Sequence, residues 1–243
     1  MGMPITVEIL DDAGLGFDKL LKEVFDYFRY VDGKFSTYKD TSEITGINNG
    51  LILEPGYSDD MKEVFLLSEE TKKLTDGYFD IVKPDGKYDP SGLVKGWSIY
   101  NAAKILQDRG VQSFFIEAGG DIQPHGMNQQ GKRWKVGIRN PFNKEQIVKV
   151  VYLEEEGIAT SGTYIRGQHI YNPHQLGAQI TDVMSISVIG PNVYEADRFA
   201  TAAFAMGLHG IHFLEGLKGF EGYMIDKNGL ATMTSNFLKY THE

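Results

Sequence analysis

Four segments of this chain bring acidic, basic, hydroxyl and glycine residues together at spacings that could do chemistry. In DPSGLVKG, Asp89 and Ser91 lead into a helical pattern that carries Gly92, Lys95 and Gly96 in its first turn. Free amides at a helix N-terminus attract anions, small residues let a ligand approach the backbone, and Lys95 adds a full positive charge. An Asp/Ser cap with a solvent lysine would use the same residues. No GxxxxGK[ST] run precedes Lys95, so it is not a Walker-type lysine. In EAGGDI, Gly119 and Gly120 follow an apolar run, as a tight turn or a close ligand contact would require. In IATSGTYIRGQHIYNP, Thr160, Ser161 and Gly162 supply hydroxyls and a flexible amide. His169 follows them and is either a structural hydrogen-bonder or a general base within reach of a substrate hydroxyl. In EADRFATAAFAMG, Asp197 and Thr201 stand four apart, so on a helix they share one face. Hard oxygens of that kind suit Mg²⁺, though an acidic first turn with a core threonine has the same pattern.

The composition narrows the chemistry further. The chain has 243 residues, 24 Lys+Arg against 33 Asp+Glu, a formal net charge of −9, 28 glycines and no cysteine. Thiolate nucleophiles, disulfides, Fe–S clusters and cysteine zinc sites are therefore excluded, which leaves oxygen and nitrogen groups to act. The acidic balance argues against a nucleic-acid or anionic-membrane partner. A phosphate anion stays compatible with it, provided that backbone amides or a metal supply the positive field. No apolar run approaches the roughly 20 residues that span a bilayer. The expectation is a soluble protein, cytoplasmic, or extracytoplasmic if a leader has been removed.

The elements that must position these segments are mixed. Residues 4–10 alternate like a strand, and 16–31 place Phe17, Leu20, Leu21, Val24, Phe25 and Phe28 at helical spacing. Further helices are expected over 59–75, entered at Ser58 and stopped at Asp76–Gly77, over 93–109 ending at Gly110, and over 194–207. Strands are expected at 111–117, 133–139, 147–153 and 183–189, with a hairpin of 221–225 and 230–234 around Lys227–Asn228–Gly229. Helices gather early and strands later, which predicts an α+β fold, read as one continuous domain over residues 1–243.

The order DPSGLVKG, EAGGD, IATSGTYIR with HIYNP, and EADRFATAAFAMG resembles the ApbE family of FAD:protein FMN transferases. MGMPITVEI resembles that family's opening strand, FSTYKDTSEITGINN its S-x-Y/W…S-E-I…N segment, and GYFDI its aromatic-Asp signature. The resemblance implies an antiparallel sheet with packed helices. It implies transfer of FMN from FAD to a Ser or Thr of an acceptor protein, with FAD hydrolysis to FMN and AMP, or FAD binding alone, as alternatives.

The resemblance also carries site residues over. Mg²⁺ would be held by Asp197, Thr201 and the Gly92 carbonyl. FAD contacts would fall to Met1, Tyr38, Asn48, Phe79, Asp80, Ile81, Asp89 and Lys95, with Gly119, Gly120, Thr160, Ser161 and Gly162 lining the same pocket. His169 matches a family histidine suited to general-base work, and the flavin would stack on Tyr38 or Phe79. Glu117, Pro90, Val94 and the short stretch between Asp80 and Asp89 depart from the family's usual pattern.

Overall fold

Leu20, Val24, Phe28, Val31 and Phe35 recur at helical spacing, and all five are buried on one stripe of α1 (Phe17–Phe35). The computed structural model describes residues 2–11, 16–162, 170–175 and 179–242. Helix α2 (Glu43–Asn48) is capped by Ser42, whose hydroxyl accepts from the Thr45 amide at 3.2 Å. Helix α3 (Asp59–Leu74) is capped in the same way by Ser58, and the chain leaves it through left-handed Asp76 (φ 48°) and Gly77 (φ 79°). Helix α4 (Ser91–Asp108) buries Leu93, Val94, Trp97, Ile99, Ala102, Ala103 and Leu106 on more than one side, because neighbours cover it on several faces. Helix α5 (Val193–Ala205) is buried along almost its whole length, and α6 (Gly210–Glu215) follows it closely.

The strands are β1 (Ile5–Ile9), β2 (Phe114–Ala118), β3 (Asp121–His125), β4 (Trp134–Asn140), β5 (Asn143–Leu153), β6 (Gly157–Gly162), β7 (Val183–Gly190), β8 (Glu221–Asp226) and β9 (Ala231–Met233). Seven of them form one sheet in the order β1-β2-β3-β6-β7-β8-β9, with every pairing antiparallel. Strands β4 and β5 make a separate hairpin between β3 and β6 in the chain. The alternation of β7 divides the core: Ile186 and Val188 pack with α5 and α6, whereas Ile189 faces the cluster that contains Val136, Ile138 and Val151 of the β4–β5 hairpin. The fold is α+β, as the pattern predicts.

Some boundaries move for identifiable reasons. The strand expected at 111–117 begins only at Phe114, because Val111 donates its amide back to Leu106 (3.1 Å) and completes the turn that left-handed Gly110 makes after α4. Helix α1 runs four residues beyond 31, carried by Phe35 in the core. Helices α2 and α6 and strands β3 and β6 lie outside the expected elements; the two helices, at six residues each, are too short for helical periodicity to reveal.

Candidate functional site

The loop 79–82, the N-terminal turn of α4, the end of β6 and the middle of α5 converge on one cleft. Phe79, Asp80, Ile81, Asp89, Gly92, Lys95, Gly119, Thr160, Ser161, Gly162, Asp197 and Thr201 all line it, joined by Tyr78, Lys83, Ser91, Ile170, Tyr171 and Pro173. The cleft encloses about 1010 Å³ including its open mouth. A second cavity adjoins it, shares Ser91 and Lys95, and is bordered by Met3, Phe35, Ser36 and Tyr38. Two cavities that share lining residues suit an elongated ligand better than a compact one.

The expected cap at the start of α4 is corrected in detail. Pro90 takes the cap position without a side-chain bond, and Asp89 Oδ1 accepts from the Ser91 amide at 3.2 Å. Lys95 does not point to solvent. Its side chain is 13% exposed, with its ammonium 2.6 Å from Asp121 Oδ2 and 3.4 Å from Asp197 Oδ1. Asp197 is buried, and its Oδ2 accepts from the Gly96 amide at 2.7 Å. Burial raises the Asp197 carboxyl above the ordinary carboxylate range; Lys95 opposes this and the Asp121 charge adds to it. Such a carboxylate needs cationic company, which an acidic first turn in solvent would not.

The oxygen set fits a hard divalent cation. The Thr201 hydroxyl lies 3.2 Å from the Gly92 carbonyl, one turn along α5 from Asp197. Among the described residues no group of three or more His, Asp and Glu could hold a metal. The protein's share of a coordination shell here would therefore mix carboxylate, hydroxyl and carbonyl oxygens, as Mg²⁺ accepts. A Cβ on Gly92 would stand 3.0 Å from Thr201 Cγ2 and 3.3 Å from its Oγ1, so glycine is what lets the two helices approach at this point.

Other candidates have structural tasks. Asp80 Oδ1 accepts from the Val82 amide (2.8 Å) and its Oδ2 pairs with the Lys72 ammonium (2.7 Å), fixing the loop that forms one wall. Asn48 brackets the Tyr88 backbone, accepting from its amide (2.7 Å) and donating to its carbonyl (2.9 Å); it does not line the cleft. Gly119 (φ 61°) and Gly120 (φ 95°) form the two-residue turn between β2 and β3, a geometry that glycine adopts without strain; Gly119 also lines the cleft, Gly120 does not. Thr160 Oγ1 lies 2.7 Å from Ser187 Oγ. Phe79 is 2% exposed and belongs to the core, so it offers no open stacking face, whereas Tyr38 is 97% exposed beside the second cavity. Met1 and His169 lie outside the described residues.

Several participants escaped the sequence reading. Tyr78 and Tyr171 are aromatic walls of the cleft. Burial, then the carboxylates of Asp80, Asp89 and Asp85, push the Tyr171 phenol upward, so it stays protonated, and its hydroxyl donates to the Val82 carbonyl at 3.3 Å. Asp121 has no role of its own in the EAGGDI pattern, yet it is fully buried against Lys95. Its acidity directly after two glycines was the one available signal.

The ApbE family model matches residues 1–84 and 81–224. The chain belongs to the ApbE family. An FAD:protein FMN transferase from Escherichia coli K12 is 31% identical over 156 residues, which is 60% of this chain. That match spans 44% of the Escherichia coli protein, less than half its length. A Haemophilus influenzae protein of the same name is 24% identical, with 98% of this chain and 88% of that one covered. Among solved structures, the flavin transferase ApbE from Vibrio cholerae superposes with a TM-score of 0.86 at 22% identity, covering 99% of this chain and 96% of that chain. The ApbE protein from Thermotoga maritima gives 0.87 at 18% identity, covering 100% and 97%. These likenesses establish the ApbE fold for this chain.

Proposed function

We propose that this ApbE-family chain transfers the FMN half of FAD to a serine or threonine hydroxyl of an acceptor protein and releases AMP. The observation that carries this reading is the meeting of Asp197, Thr201 and the Gly92 carbonyl with the Lys95 ammonium on one cleft at the start of α4. The names of the family relatives point the same way. Asp197, Thr201 and the Gly92 carbonyl would hold Mg²⁺, which when bound polarises phosphate oxygens and neutralises their charge.

The chain's own groups do the rest. Lys95 and the first-turn amides of α4 hold the pyrophosphate, where a helix N-terminus favours negative charge. Asp89 and the 79–81 segment orient the FMN side against the Tyr171 wall, while Tyr38 borders the second cavity's part of the ligand and Met1 keeps the FAD contact that the family resemblance gives it. His169 takes the proton of the acceptor hydroxyl. The acceptor oxygen bonds to the FMN-side phosphorus as the bond from that phosphorus to the bridging oxygen breaks, and AMP leaves with the bridging oxygen.

Incubation with FAD, Mg²⁺ and an FMN-acceptor domain, read by intact mass, tests the proposal. A gain of one FMN group on an acceptor Ser or Thr is the expected result. Release of FMN and AMP without that adduct would mean hydrolysis, and unchanged FAD would mean binding alone; either would overturn transfer.

A further inference from the structure

Lys95 does not sit evenly between its two carboxylates. It is 2.6 Å from Asp121 Oδ2 and 3.4 Å from Asp197 Oδ1, in a pocket where the three side chains are 13%, 0% and 2% exposed. Asp197 spends Oδ2 on the Gly96 amide, so Oδ1 is the oxygen that meets the ammonium. Asp121 is held in turn: its Oδ1 accepts from the Thr160 amide of β6 at 3.1 Å, and the Gly119–Gly120 turn sets it at the head of β3. An ammonium and a dication on one carboxylate oxygen repel strongly at this depth. A second anionic seat removes the conflict.

We propose that Asp121 is a positioning residue that holds Lys95 aside from Asp197, so that a divalent cation can take Asp197 Oδ1 while the lysine charge stays in the site. This rests on the reading of Asp197 as a metal ligand. In an Asp121→Asn variant the amide oxygen still accepts from Thr160, but the negative seat is gone and Lys95 moves onto Asp197 in competition with the cation.

The test uses Mn²⁺ alone, without FAD, and follows loss of the free-ion electron paramagnetic resonance signal in the full chain. Asp121→Asn should raise the half-saturating Mn²⁺ concentration by about tenfold or more, the usual scale for a residue that orients a ligand. The same substitution made in a Lys95→Met background should have almost no effect, because nothing is left to be held aside. An equal effect in both backgrounds would mean that Asp121 acts through its own charge or through folding, and would overturn the proposal; so would an unchanged half-saturation in Asp121→Asn. If Asp121→Asn does not fold, judged by circular dichroism, Lys95→Met alone decides: its half-saturation should fall below that of the parent chain, and a rise overturns the proposal. A parent chain that binds Mn²⁺ no better than Asp197→Ala would instead remove the metal reading of Asp197 on which the proposal stands.

Discussion

Gly96 donates its amide to Asp197 Oδ2 at 2.7 Å, from a position where a Cβ on Gly96 would lie 2.6 Å from the Asp197 Cβ and 2.7 Å from the Val193 carbonyl oxygen. The absent side chain and the hydrogen bond are one device: α4 and α5 cross at backbone distance, and that closeness aims the carboxylate. In an ordinary helix interior, Gly→Ala gains about 1 kcal/mol. Here Gly96→Ala should instead destabilise the chain by about 1–3 kcal/mol, because the methyl meets a backbone oxygen that cannot turn away. Urea denaturation of the two proteins measures the sign, and a more stable variant would refute the close crossing.

Asp197→Ala should abolish Mg²⁺-dependent turnover of FAD, with a loss of at least about 100-fold in AMP release, the scale of removing a principal electrostatic group. The parent chain should also melt at higher temperature as Mg²⁺ is added, by mass action on the folded state, and the variant should not. Full activity in Asp197→Ala would end the metal assignment.

Asn48 reads, in the sequence, as a ligand contact, but in the fold it clamps Tyr88 from both sides of one peptide unit. Asn48→Ala leaves two backbone groups without their partner, at about 1–3 kcal/mol for a half-buried pair. The 80–89 wall should loosen, so KM for FAD is expected to rise more than kcat falls. A pure kcat loss in steady-state kinetics would place Asn48 against the reacting atoms instead.

Gln123 links the sheet to the site helix. It is 5% exposed, accepts from the Val193 amide at the first turn of α5 (2.8 Å), and donates to the Glu155 and Pro124 carbonyls. Gln123→Leu keeps the bulk but strips these partners, and should cost about 1–3 kcal/mol in thermal or urea unfolding. Since α5 carries Asp197 and Thr201, the apparent Mg²⁺ affinity should fall with it. An unchanged affinity would show that the helix is held by packing alone.

Much of this architecture was legible before any coordinates. The apolar spacing of α1, Ser58 and Asp76–Gly77 at the ends of α3, Gly110 after α4 and Lys227–Asn228–Gly229 between β8 and β9 are local signals, and each appears where local chemistry puts it. Asp197 and Thr201 share a helix face because four residues make about one turn. Many of the residues that line the cleft belong to the motifs on which the family resemblance rests. Strand β3 was missed because DIQPH carries Gln and Pro where a strand pattern wants apolar residues, and it is burial between β2 and β6 that makes it a strand.

The sequence by itself determined the four long helices and the turns that close them, that cysteine chemistry is absent, and that Gly92, Lys95, Asp197 and Thr201 stand on helical spacings. Only the tertiary structure decided which charges meet. Lys95 is 26 positions from Asp121 and 102 from Asp197, yet all three share one buried point. Nothing periodic in the chain encodes those separations, for they follow from the antiparallel sheet that sets β3 beside β6 and from the close crossing of α4 and α5. Burial then does what no residue type can do alone: it lifts the Asp197 carboxyl, ties Lys95 to carboxylates instead of water, and makes Asp121 part of the site.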